Sequence, residues 1–386
     1  MSPLIQPQLL RRMNVRRLLE HLQKSGPSTR ADLTRRTGSS GPTVSKAIAA
    51  LLESGLVEEG ESHAVALGRP GTVLRLARNA AQVIGVVIDA RQCQVVAAGL
   101  DGVNHDEAME TFATPRTYSL LIDQLAHAVN RLMRRSARTL SIGISAPGLI
   151  NRREQKCTFS PNFHVTDGHS PTRDLFERVG VECVLYQETQ ALCLSERMFG
   201  GPESLDDFVV LEISTGLGLG VYSSGRLLEG HSGLAGELGH VTVVPDGRIC
   251  GCGNRGCLET VATDSSFAQL ISEQTGRAVD IKEAVHLIRS GQLESERQLR
   301  TTIESLAIAM AAAINIFNPA HLFVHGRLFD AQDGLFELTC ELTRRRALAP
   351  SLADCHIRRS RFSKAQGATA AAIHALFASF GPTFGE

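Results

Sequence analysis

The run GHSGLAGELGHVTVVPDGRICGCGNRGCLE, from Gly230 to Glu259, holds four side chains of metal-binding type: His240, Cys250, Cys252 and Cys257. Their spacing is His-x9-Cys-x-Cys-x4-Cys, with Gly251, Gly253 and Gly256 interleaved so that the backbone can fold the thiolates around one point. One imidazole and three thiolates form a closed tetrahedral set for Zn2+, and a closed set is structural rather than catalytic. The Cys-x-Cys step is too short for an easy disulfide. Glu237 lies three residues before His240, and Glu259 two residues after Cys257. A metal there would hold two carboxylates close together. They would serve as acceptors for the hydroxyls of a small polar ligand, or as supports of the metal loop itself.

The chain around this run has 386 residues, enough for two or three domains with a full core. Its formal net charge is zero, but the charge is uneven: residues 1–78 hold twelve Lys/Arg against six Asp/Glu. A basic head on an acidic body points to an anionic polymer bound at the front. Nine cysteines is an odd number, and the six outside the cluster follow no disulfide framework, as expected in a reducing cytoplasm. The N-terminus turns arginine-rich before any apolar core develops, unlike a secretory signal. The best apolar run, Leu306 to Ile316, is too short to span a membrane. A cytoplasmic protein without membrane contact is expected.

Three short helices are predicted before residue 56. The first covers about Gln8 to Gln23, with Leu10, Val15, Leu18, Leu19 and Leu22 on one face. The second opens at Thr29 with Asp32 three residues on, a capping-box pattern, and closes at Gly38. The third has Ser40-Gly41 at its cap and Pro42 in its first turn, then Val44, Ile48, Leu51 and Leu52 at helical spacing. The tight link Gly38–Gly41 suits a helix-turn-helix. Thr43, Ser45 and Lys46 fall opposite the apolar stripe, where they suit major-groove edges and phosphates. A polar, hairpin-like wing follows. It ends in Gly68-Arg69-Pro70-Gly71, and Arg69 on extended backbone suits a narrow minor groove.

From Ala81 the pattern alternates strands and helices. Val83–Asp89 and Gln92–Ala98 read as a strand pair, as do Phe208–Ser214 and Gly218–Ser223. Two units that each open strand–turn–strand suggest a duplicated, two-lobed body of mixed sheets, with a ligand in the cleft between them. Between the second pair lies Ser214-Thr215-Gly216-Leu217-Gly218-Leu219-Gly220. Glycines at every second position present N–H groups to a phosphate, or simply serve a tight hairpin.

The segments STGLGLG (214–220), GLAGELGH (233–240) and CGCGNRGCLE (250–259) resemble the ROK family of bacterial sugar kinases and sugar-responsive repressors. The N-terminal GPSTRADLTRRTGSSGPTVSKAIAALLESGLV, with the later GRP, is similar to the winged helix of its repressor branch. The resemblance covers nearly the whole chain. It implies an α/β, two-lobed actin-like (RNase H-like) sugar kinase fold behind a winged helix-turn-helix. Residues 1–78 would form the DNA-binding head and 79–386 the ROK domain. One lobe would span about 79–200 plus the C-terminal helix, and the other 201–364. It also implies zinc ligation by His240, Cys250, Cys252 and Cys257, and sugar contacts from Asn162, Glu237, His240 and Glu259.

Departures from the family's kinases fall on ATP and on chemistry. Where kinases carry Asp-x-Gly-Gly-Thr, this chain reads Asp89-Ala90-Arg91-Gln92-Cys93. The family's Asn-Asp pair, whose aspartate takes the proton from the sugar hydroxyl, aligns with Gln187-Glu188. Glu188 therefore stands at the base position and on the sugar wall, its carboxylate displaced by about a bond length. The late Gly-Gly reads His325-Gly326-Arg327. A regulator without kinase activity is expected, binding operator DNA and a small carbohydrate, and acting as a homodimer or homotetramer. The alternative is a sugar kinase that kept a DNA-binding head.

Overall fold

The computed structural model describes residues 7–60, 72–134, 138–201 and 205–380. Three helices, α1 (Pro7–Ser25), α2 (Arg30–Thr37) and α3 (Gly41–Glu53), open the chain with a small sheet of β1 (Ser28–Thr29), β2 (Val57–Gly60) and β3 (Val73–Leu76). Local chemistry sets these ends. Thr29 and Asp32 close a reciprocal capping box on α2, and Gly38 ends it at φ 67°. Ser40 accepts from the Thr43 N–H to start α3, which buries Val44, Ala47, Ile48 and Leu51. Arg69 and the wing tip lie outside the described residues.

Two five-stranded sheets follow. The first is ordered β10-β7-β4-β5-β6, from β4 (Ala81–Val87), β5 (Gln92–Gly99), β6 (Asn104–Ala113), β7 (Arg138–Ala146) and β10 (Cys183–Gln187). Between β7 and β10 come a hairpin of β8 (Leu149–Asn151) and β9 (Lys156–Phe159), then helix α5 (Pro171–Val179); α4 (Tyr118–Met133) precedes β7. The second sheet is ordered β13-β12-β11-β14-β15, from β11 (Phe208–Glu212), β12 (Gly218–Ser223), β13 (Arg226–Leu227), β14 (His321–His325) and β15 (His356–Arg359). In each, a central strand runs antiparallel to its hairpin partner and parallel to a later strand. Read from opposite ends, the two sheets have the same connectivity, as the paired strand–turn–strand openings suggest. Strand β6 escapes a sequence reading because it is an edge strand with a polar face, NHDEAMETFA.

Helix α6 (Glu188–Phe199) follows the first sheet. Helices α7 (Asp264–Thr275), α8 (Ile281–Arg289), α9 (Glu296–Phe317), α10 (Leu335–Arg344) and α11 (Ala349–Ala353) belong to the second unit. Helix α9 corrects one expectation. It runs 22 residues and is long and apolar enough, by length and composition, to cross a membrane. Its Leu299, Ile303, Leu306, Met310 and Ile314 are instead buried with Phe267 and Leu322 in the core of the second unit.

The last helix, α12 (Lys364–Ala378), returns to the first sheet. It lies close enough that a Cβ on Gly143 would stand 2.0 Å from the Ala368 carbonyl oxygen. Its far end enters the head: Phe377 and Ile373 share one core with Val15, Leu18 and Leu19 of α1 and with Val83 of β4. Burying one such large side chain is worth about 2–3 kcal/mol. Arg12 adds a hydrogen bond to the Ser379 carbonyl at 2.5 Å, and Gln23 donates to the Met198 carbonyl. The result is a two-lobed actin-like α/β body carrying a winged helix.

Candidate functional site

Two isolated bridges, Thr242 with Cys257 and Ile249 with Arg255, fold residues 240–257 into a knuckle. Gly256 is required at its closest point, at φ 65°, because a Cβ there would meet the Val244 oxygen at 1.5 Å. The ligand atoms of His240, Cys250, Cys252 and Cys257 all lie within 4.8 Å of one another. Cys250 Sγ is 3.6 Å from His240 Nδ1, and Cys252 Sγ is 3.7 Å from Cys257 Sγ. A tetrahedron with bonds of about 2.0–2.3 Å has edges of about 3.3–3.8 Å, so the donor set fits a metal of zinc's size and softness. Burial pushes the Cys250 thiol up to about 12, so metal binding would have to displace its proton.

His240 turns its other nitrogen away from the thiols: Nε2 lies 3.7 Å from Glu237 Oε2. Glu237 also accepts from Gln187 Nε2 at 3.1 Å. Glu259 is buried, accepting from Asn162 Nδ2 at 3.0 Å and the Leu217 N–H at 3.1 Å. Asn162 sits in the loop after β9, and Gly251 of the knuckle packs against that loop, a Cβ there meeting the Pro161 oxygen at 2.3 Å. The knuckle thereby positions Asn162, Glu237, His240 and Glu259 on one cleft, together with Glu188. All five residues singled out in the sequence for this pocket line it.

Behind the acids of the cleft lies a residue that sequence reasoning missed. The Lys364 ammonium, at the start of α12, lies 2.6 Å from Glu188 Oε1, 3.1 Å from Asp89 Oδ2 and 3.2 Å from Glu212 Oε1. Burial pushes the Glu188 carboxyl up to about 8 against the pull of that ammonium, whose own proton is held more tightly by the three acids. Asp89 also caps its own turn, accepting the Arg91 N–H at 3.2 Å. A Ser363–Gln366 capping box marks the helix start in the sequence, but no local signal ties Lys364 to acids 176 and 275 residues away.

Beyond Lys364 the cleft continues as a second space between the units, where Arg91 and Asp280 pair at 3.6 Å. Asp264 accepts the Arg327 and Leu328 N–H groups there, each at 2.8 Å, and burial pushes its carboxyl up to about 7. The glycine turn resolves toward packing. Gly218 and Gly220 leave room for Thr189 and Cys193 of α6, and Gly216 for the Glu259 carboxylate.

On the head, Ser45 and Lys46 are exposed on α3. Thr43 is partly covered, its hydroxyl 2.8 Å from Ser40 Oγ. This face is opposite the buried Val44, Ala47 and Ile48.

The ROK family model matches residues 83–377, and a MarR family model matches residues 4–64. The chain is 26% identical over 325 residues to the xylose repressor of Bacillus subtilis (strain 168), covering 83% of this chain and 84% of that one. It is 34% identical over 209 residues to a glucokinase of Thermotoga maritima, covering 50% of this chain and 66% of that enzyme. A crystal structure of a ROK family transcriptional regulator, a homologue of the Escherichia coli MLC protein, superposes with a TM-score of 0.80. That match spans 96% of this chain and 98% of the other at 23% identity.

Proposed function

The chain belongs to the ROK family, and from that membership we propose a sugar-responsive, DNA-binding transcriptional repressor whose body holds one structural zinc ion and catalyses no phosphoryl transfer. The observation that carries this reading is a continuous path. Glu188 on the cleft holds Lys364 at 2.6 Å, Lys364 opens α12, and α12 ends inside the core of the winged head. A ligand that displaces Glu188 therefore bears on the element that seats the DNA-binding helices.

Asn162, Glu188, Glu237, His240 and Glu259 would receive the sugar hydroxyls, and zinc on His240 Nδ1 and the three thiolates would fix the acceptor wall. Thr43, Ser45, Lys46 and Arg69 would face DNA. A two-fold dimer or a tetramer fits paired half-sites.

Against kinase activity stands Lys364. A base must be free to take a proton from the substrate hydroxyl, and Glu188 is already tied to an internal ammonium together with Asp89. A coupled ATP assay with common hexoses is expected to give background turnover, and elemental analysis one zinc per chain. The direct test is anisotropy on DNA from upstream of the protein's own gene, with a monosaccharide panel. Tight binding released by one sugar is expected. Lys46→Ala should weaken binding and reduce its salt slope by about one. Unchanged affinity and slope in that variant would remove α3 from the interface.

A further inference from the structure

Head and body enclose a separate space, away from the cleft between the lobes, lined by α1, α6, α12 and the end of α2. Gln23 of α1 donates to the Met198 carbonyl of α6 at this junction. Five lysines and arginines, Arg16, Arg17, Lys24, Arg36 and Arg197, line the space against one acid, Glu20. Glu20 is taken by Arg16 at 2.7 Å, and Arg197 reaches Asp206 at 3.1 Å. Arg17, Lys24 and Arg36 have no ion-pair partner among the described residues. Lys24 and Arg36 sit in the last turns of α1 and α2, where helix dipoles favour a cation. The dipoles do not account for two shielded atoms, one from each side of the junction. His21 Nε2, from the head, and Arg197 Nε, from the body, are closed off from solvent and meet no hydrogen-bond partner among the described residues. Nitrogens buried in this way are costly unless something accepts from them.

We propose that this junction binds a small polyanion carrying two or more phosphoryl groups, held between His21, Lys24 and Arg36 of the head and Arg197 of the body. Phosphoryl oxygens accept from several N–H donors at once, and a guanidinium meets them as a two-pronged donor. A monoanion would leave most of the lining charge uncompensated. Burial, then the Arg36 guanidinium, hold the His21 imidazole below its ordinary range, and a bound anion would oppose the second effect. Thr43, Ser45 and Lys46 of α3 do not line the space, so it is separate from the face proposed for DNA. A ligand that touches both walls binds only the assembled pair, and so ties the head to the body.

Calorimetry on the full chain at fixed ionic strength tests this, with inorganic pyrophosphate, adenosine diphosphate and inorganic phosphate as probes. Pyrophosphate or the nucleotide should bind at least about tenfold more tightly than inorganic phosphate. Tighter pyrophosphate points to an inorganic source, and tighter adenosine diphosphate to a nucleotide. The double variant Lys24→Gln with Arg36→Gln changes two exposed side chains, and circular dichroism checks that it is folded. It should weaken the tighter probe at least about tenfold, and so should Arg197→Gln on the other wall. Equal binding by the parent and the double variant overturns the proposal, as does failure of every probe to bind the parent. A loss confined to the double variant overturns the bridge between head and body. Operator affinity that falls in the double variant while no probe binds the parent gives these cations to the DNA backbone instead.

Discussion

Removing the Lys364 ammonium would leave Asp89, Glu188 and Glu212 facing one another with no cation between them. Lys364→Met is expected to cost about 3–5 kcal/mol in chemical denaturation. Adding Glu188→Gln should recover part of that, because the two sites are in contact and their effects do not add. Equal stability of Lys364→Met and the parent would mean the ammonium is solvated elsewhere in solution. This residue also marks the limit of what the chain reveals when read in order. The Cys/His cluster was legible because its four side chains lie within 18 residues and glycines mark the folds between them. Glu237 and Glu259 stood out by their spacing around that cluster, and Asn162 was placed by resemblance to a family. Lys364 had neither advantage, since its partners are set by the packing of α12 alone.

Among elements, α12 depends most on small residues. Gly143 and Gly85 on the first sheet leave bare backbone for it, and a Cβ on Gly143 would come within 2.0 Å of Ala368 O and 2.7 Å of Ala372 N. Gly143→Ala is expected to destabilise the fold by about 1–3 kcal/mol in thermal or denaturant unfolding, since backbone cannot yield as a side chain can. A neutral effect would show that the helix shifts freely on its sheet. The helices of the head were legible to within a few residues because the Thr29–Asp32 capping box, the Ser40 cap, Gly38 and Pro42 write their boundaries locally. The edge strand β6 and the full length of α9 were not. The first has no alternation to read, and the second begins with a charged turn, ERQLR, that hides its apolar face.

Across the whole molecule, head and body meet at a junction that includes His374 of α12. Tyr186 Oη lies 3.2 Å from its Nδ1, and burial, then the Arg152 and Arg16 guanidiniums, hold the imidazole down to about 4. Because the folded value lies below the ordinary 6.5, the folded state releases this proton more readily than the unfolded chain. The stability this group contributes is present above pH 6.5 and is lost as pH falls toward 4, by up to about 3 kcal/mol. His374→Gln should lose less stability than the parent over that interval, and parallel pH curves for the two proteins would refute the assignment.

The same helix, about 22 Å long, joins the cleft to the head, so binding at the two ends should be linked. Calorimetric sugar affinity, measured on the free protein and again on the operator-bound protein, tests that most directly. Linkage requires the sugar to bind the operator complex more weakly, by the same factor by which it weakens operator binding. Identical sugar affinities in the two states would contradict a sugar-responsive repressor, however tightly the protein held its DNA.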